Sequence, residues 1–437
     1  MEKKFNTIFR SKPYHYVVFT LLLLHTITMV PDKHFSQSFQ SLFLIFSLPI
    51  LYFERKSLIK DPMFQLLGVM ITVTILSWIN SLIYYPELAN SGPKIDRLAK
   101  LFPFIFMAYW LKGNTRYIYF LLSFYLLSII IAFVLHPNFY NELVEGINGR
   151  RVNFGMKNAQ YTSMFGGMGL ITCLFALFHF MKYKIIENSI FKYMSIITLI
   201  LASLFFTILF IVSQSRQVWF ALTVTTLLLP MLISLIYNTK VNKYIYLSYL
   251  VILSSIFFIL QTDFVKKRSS DELETIETII DGNFDEIPMT SIGIRINSWV
   301  EAYAWIKTNP IFGADENAIS EVISRSPKFS KELKQKYQHL HNYHIETLVA
   351  YGLLGLLGLY AVYVWLLISL KKAQQFSPHA KPFLLFASVF LTYWFIVNCF
   401  ETMSGRGFGV FTHNIMFACC YTFYLTMSIN EKKVESI

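Results

Sequence analysis

The chain has 437 residues, 55% of them hydrophobic and 17% aromatic against only 15% charged, a composition that excludes an ordinary soluble domain. The net charge of +12 does not point to nucleic acid, because Lys and Arg gather in short loops between apolar runs, as they do when they orient a membrane protein. Cys173, Cys399, Cys419 and Cys420 all lie in apolar stretches, which argues against a disulfide framework or a cysteine zinc site.

The N-terminal MEKKFNTIFRSKPYHY runs into an apolar segment without a small-residue cleavage site, so a retained first helix is expected. Apolar runs long enough to cross about 30 Å of hydrocarbon are read at 14–30, 36–53, 63–85, 98–111, 116–136, 160–181, 192–212, 217–237, 243–261, 342–370, 382–400 and 408–429. The expected fold is therefore an all-α polytopic membrane protein with about 12 transmembrane helices, forming a single transmembrane domain over residues 1–437.

Basic residues orient it. Lys3, Lys4, Arg10 and Lys12 precede the first span, Arg55, Lys56 and Lys60 follow the second, and Lys112 and Arg116 flank the fourth loop. The same side receives Lys182, Lys184, Lys240, Lys243, Lys371, Lys372, Lys381, Lys432 and Lys433, so both termini are expected in the cytoplasm. The opposite side receives Arg150 to Asn158 and one long loop, 262–341, inserted between the ninth and tenth spans. Within that loop an acidic run, Asp271 to Glu286, precedes an expected helix from Ile292 to Thr308, on which Ile296, Trp299, Val300, Tyr303 and Ile306 keep helical spacing. A loop of this length in a tight bundle is usually a lid or a binding element.

The chemistry-bearing residues meet that loop. His339, His341 and His344 stand where it enters the tenth span, in HLHNYHIETLVAYGLLGLLG. Spacing puts His341 and His344 near one helical face and leaves His339 in the loop. An imidazole at that boundary can accept a proton near neutral pH. Zinc binding is an alternative for the three histidines, but no paired carboxylate motif accompanies them, and no metal is expected. Arg216 opens the eighth span behind Ser213 and Ser215, so its charge coincides with the positive end of a helix dipole and suits a diphosphate. The plainer reading is an interfacial Arg reaching lipid phosphates. Arg295, on the loop helix, can stabilise charge on a leaving group or be a solvated loop charge. Arg150, Arg151 and Arg406 face the same compartment. Glu346, one turn into the tenth span, is placed to orient a histidine or to pair with an Arg from another span, and Glu401 is a weaker case of the same kind. Gly352 and Gly355 lie on one helical face and suggest close helix packing.

His341 and Asn342, nine residues, then Gly352 and Gly355 together resemble the signature of the O-antigen ligase family, part of a wider group of polytopic polymerases and ligases acting on undecaprenyl diphosphate glycans. SQSRQVWF resembles that family's Arg motif, with Phe220 in place of Leu, and RINSWVEAYAWIKTNPIFG resembles its loop element through Arg295, Trp299, Pro310 and Gly313. NFGMKNAQ is a weaker fourth match, and His413–Asn414 lacks the glycine spacing. The resemblance implies a GT-C-like glycosyltransferase bundle in a Gram-negative inner membrane, with a periplasmic site and no cofactor. It implies transfer of O-polysaccharide from undecaprenyl diphosphate to the lipid A core, with inversion at the anomeric carbon. His341 would be the base, Arg216 and Arg295 would hold the diphosphate, and Asn342, Glu346, His339, His344, Trp219 and Trp299 would support them. A polymerase using a lipid-linked acceptor, or a lipid-linked glycan transporter, remains the alternative.

Overall fold

The computed structural model describes residues 2–183, 189–239, 272–284 and 286–434, with scattered positions between 243 and 254. Every regular element among them is helical. Eight helices are long and apolar enough to cross a membrane: Lys33–Phe53, Pro62–Tyr84, Thr115–Val134, Ala159–Lys182, Ile190–Val212, Arg216–Tyr237, Tyr343–Ala373 and Ala380–Phe400. They fall on expected spans two, three, five to eight, ten and eleven. Lys12–Thr28 and Gly407–Val434 stand at the first and last expected spans, and the expected ninth lies largely outside the described residues. Ile197, Leu201, Leu204 and Ile208 are exposed along one of these helices, as lipid-facing side chains must be. All four cysteines are free.

The fourth expected span is different. The short helix Asp96–Ala99 ends there and Phe104–Leu111 begins, the latter only about 12 Å of rise, too short to cross alone. Pro103 removes a backbone donor at its start, and Asn414 of the C-terminal helix accepts from the Phe104 amide at 3.0 Å and donates to the Lys100 carbonyl at 2.9 Å. His413 reaches the Leu101 carbonyl at 3.1 Å. The second His-Asn pair thus closes an interrupted helix, a packing role that explains why both residues are buried.

Tyr343–Ala373 lies at the centre, against Pro62–Tyr84, Ala380–Phe400 and Gly407–Val434. It is not continuous: Gly352 takes φ +61° and ψ −162°, a conformation essentially restricted to glycine. The break opens backbone groups that the long loop fills. Ala314 and Asp315 amides donate to the Val349 and Ala350 carbonyls, and the Leu353 amide donates to the Pro310 carbonyl at 2.8 Å. A Cβ on Gly352 would meet the Ile311 carbonyl at 2.3 Å, and one on Gly313 would meet the Ala350 carbonyl at 2.3 Å. Gly352 therefore serves a loop-to-helix junction, not the helix-to-helix contact expected from its spacing.

The loop itself is folded. Ile294, Ala302, Ala318, Val322, Ile323 and Leu340 form a small core with Val349 of the central helix. Its helix, Ser291–Thr308, starts where a Thr290 cap accepts from the Gly293 amide. The face it buries carries Ile294, Asn297, Ser298 and Ala302, while Tyr303 is exposed, so the expected apolar stripe is displaced by polar residues that bond locally.

Gly352→Ala and Gly313→Ala should each destabilise the detergent-purified protein by about 2 kcal/mol or more and lower its thermal midpoint, whereas Gly68→Ala, with open space around its Cβ position on a helix, should leave the midpoint unchanged or raise it.

Candidate functional site

Asn342 explains why an Asn follows the histidine. It is the N-cap of the central helix, its side-chain oxygen accepting from the His344 and Ile345 amides at 3.0 and 3.1 Å. His341, just before it, is held at φ +53°, a conformation that costs a non-glycine residue free energy and persists where surrounding bonds enforce it. Glu346 supplies two of those bonds. One of its oxygens accepts from the Leu340 amide at 2.8 Å and from the Thr402 hydroxyl at 2.7 Å, so it braces the residue before His341 and the residue after Glu401. Among the described residues it makes no hydrogen bond to a histidine or an arginine, although His339 and Arg406 lie within its electrostatic reach.

Glu401 is the partner of the histidines. It caps the end of Ala380–Phe400, with one oxygen 3.1 Å from His341 Nδ1 and the other 3.5 Å from His339 Nε2. A carboxylate only accepts, so His341 carries its proton on Nδ1 and presents Nε2 as an acceptor. Nε2 makes no hydrogen bond within the described residues. The rings of His339 and His341 lie 4.1 Å apart. His344 points elsewhere: its ring bonds the Phe395 carbonyl and Tyr360, because the helix begins only at Tyr343 and His341 is not on its face. Burial disfavours the His341 cation and lowers its pKa, His339 and Arg295 act in the same sense, and Glu401 opposes them. Burial alone would raise the Glu401 pKa, but the two histidines hold it well below the carboxylate range.

Arg216 opens its helix as expected, behind the buried Ser213, Gln214 and Ser215. Its guanidinium donates to Glu272 at 2.8 Å, and the second Glu272 oxygen accepts from the Ile292 amide at 3.3 Å, at the start of the loop helix. Glu272 thereby ties that helix to Arg216. Burial works against its charge, but Arg216 and Thr290 bring its pKa below the ordinary value. One turn into the loop helix, Arg295 lies within electrostatic reach of Glu401, Arg216 and Glu272, and its side chain makes no hydrogen bond among the described residues.

Trp299 anchors the same helix, its indole donating to the Leu340 carbonyl at 2.8 Å. Trp219 donates to the Phe210 carbonyl at 3.4 Å, and Phe220 at the motif's Leu position is exposed with its ring 6.0 Å from Phe400. Arg150 and Arg151 line a separate hollow with Glu142 and Glu145. The cluster thus joins His339, His341, Arg295 and Arg216, leaves out His344, and adds Glu401 and Glu272. Glu401, the weaker of the two glutamates expected to orient a histidine, is the one that does so, entering from another helix. His339, His341 and Glu401 each offer one ligand atom, all within 4.8 Å of one another, so the trio is also compatible with a divalent cation.

Residues 200–360 match the family model described as O-Antigen ligase. The matched segment contains Arg216, Arg295, His339 and His341 and ends before Glu401. No curated protein matches the chain.

With neutral His341 as a base, its lowered proton affinity predicts that kcat/KM falls on the acid side with a midpoint below 6.5. Glu401→Gln removes the contribution that raises this affinity, so it should move the midpoint lower still and cut the rate by about 10- to 100-fold, as read from paired pH–rate profiles.

Proposed function

We propose, from the match of residues 200–360 to the O-antigen ligase family model, that this multi-pass membrane protein is an O-antigen ligase. It transfers O-polysaccharide from undecaprenyl diphosphate to a sugar hydroxyl of the lipid A core at the periplasmic face of a Gram-negative inner membrane, with both termini cytoplasmic. The observation that carries the reading is the Glu401–His341 pair, with its unoccupied Nε2, beside two arginines from different elements.

The donor's diphosphate sits between Arg216 and Arg295, displacing Glu272 from Arg216. Guanidinium groups suit this place because they stay protonated and bond two oxygens at once. His341 Nε2 takes the proton of the acceptor hydroxyl, whose oxygen bonds to the anomeric carbon from the face opposite the diphosphate. The carbon–oxygen bond to the diphosphate breaks, its electrons leave with undecaprenyl diphosphate, and the configuration inverts. Glu401 holds the imidazole and stabilises the imidazolium that forms. His339, Asn342 and Glu346 support the geometry, His344 only fixes the helix through the Phe395 carbonyl and Tyr360, and Trp219 and Trp299 offer ring faces to sugars.

The trio of His339, His341 and Glu401 favours a second reading, in which a divalent ion there activates the acceptor hydroxyl. Chelation separates the two, since base catalysis survives EDTA and a metal-activated hydroxyl does not.

In a strain lacking the protein, polymerised glycan should accumulate on its lipid carrier while the lipid A core stays bare. At matched membrane levels, neither His341→Ala nor Arg216→Ala should restore the lipopolysaccharide ladder, with losses of about 100-fold or more. Single repeats on the core in the null strain would identify a polymerase, and an active His341→Ala protein would identify a transporter.

A further inference from the structure

A second basic surface lies on the other side of the histidine cluster. A cavity of about 320 Å³ has His339 in its wall, and its lining carries four cations, Lys94, Arg97, Lys100 and Arg406, against two carboxylates, Glu316 and Glu346. Arg216 and Arg295 take no part in it. Of the two carboxylates, Glu346 is buried and engaged by the Leu340 amide and Thr402. Only Glu316 counters the cations directly, 2.8 Å from Arg97 and 3.6 Å from Lys94. Lys100 gives one N–H to the Gly405 carbonyl at 2.9 Å, and an ammonium has three. Arg406 is exposed at the rim.

The location of these cations is itself informative. Lys94, Arg97 and Lys100 lie between Pro62–Tyr84 and Thr115–Val134, on the His341 side of the bundle. The loops that orient the protein put their Lys and Arg on the opposite side, so membrane orientation does not account for an excess here. Four cations line this hollow against Glu316, with Asp96 beside it also acting on Lys100, and the remaining excess makes a seat for an anion.

We propose that this cavity binds the acceptor and recognises an anionic group on it, a phosphate near the hydroxyl that attacks. This rests on the transfer reading above and adds a division of labour. The donor's diphosphate is held by Arg216 and Arg295, the acceptor's anion by Lys94, Arg97, Lys100 and Arg406, and the His339–His341–Glu401 cluster stands between them. Two acceptors carry such groups: a phosphorylated lipid A core, and the diphosphate of a second lipid-linked glycan.

The test uses the full-length protein in detergent, with Lys100→Gln and Arg406→Gln variants checked for an unchanged thermal midpoint. Binding of three probes is measured without donor: lipid A core as isolated, the same core after enzymatic dephosphorylation, and a lipid-diphosphate glycan. In transfer assays the acceptor KM and the donor KM are read separately. The proposal expects each variant to weaken binding of one anionic probe and raise its KM as acceptor by about tenfold, with the donor KM unmoved and the dephosphorylated core bound weakly by every form. A selective effect on lipid A core identifies a phosphorylated core as the ligand, and one on the lipid-diphosphate glycan a second carrier lipid. Equal weakening of intact and dephosphorylated core, or a shift in donor KM alone, overturns the proposal. Because binding is measured without turnover, acceptor binding that depends on these cations supports the cavity assignment even where no transfer occurs, and absent transfer with intact binding overturns only the ligase reading.

Discussion

The site depends on a helix that is interrupted. At Gly352 the central helix gives up its own backbone bonds for a few residues, and the segment 310–315 takes them over. Both sides of the junction need glycine, because each places a carbonyl within 2.3 Å of where the other's Cβ would stand. Ser77 and Asn80 of Pro62–Tyr84 add side-chain bonds to the Ala350 and Gly313 carbonyls, so three parts of the chain converge on one buried stretch of backbone freed from its helix. Such a junction answers the requirement that every peptide group inside an apolar bundle find a partner. It also anchors one end of the loop to the rigid bundle.

From that anchor the loop helix is fixed by two further ties. Trp299 binds the backbone next to His341, and Glu272 binds the helix start to Arg216. Arg295 lies between these ties and is positioned by them without a hydrogen bond of its own among the described residues. Glu346 plays the matching part below, holding Leu340 and Thr402 together and thereby keeping Glu401 opposite His341. The charged groups are buried enough to interact strongly, and each carboxylate there is either paired with a cation or saturated by donors, as burial demands.

Much of this was legible in the sequence because it is local. Apolar run lengths mark eight crossing helices, the Ser-rich turn before Arg216 marks a helix start, and the loop helix begins within one residue of its expected place. What escaped depends on distant residues or on backbone conformation. Asn414 interrupts the fourth span from more than 300 positions away. The partnership of Glu401 with His341 joins two helix ends, and no spacing rule connects them. Gly352 and Gly355 have the three-residue separation of a packing motif, yet the first is used for its dihedral angles. His344 was grouped with His341 on helical spacing, but the left-handed turn at His341 puts the two rings on different sides.

The interruption at Gly352 also acts as a ruler. The helix of 31 residues would measure about 46 Å if unbroken, well beyond a hydrocarbon slab of about 30 Å. Residues 353–373 alone make about 31 Å, enough to span that slab, and residues 343–351 form a separate pedestal of about 13 Å on its outer side. His341 stands on top of the pedestal. With residues 353–373 filling such a slab, its height would be that of the headgroup layer rather than the acyl chains, and shortening the pedestal by one turn would sink the imidazole towards the oil.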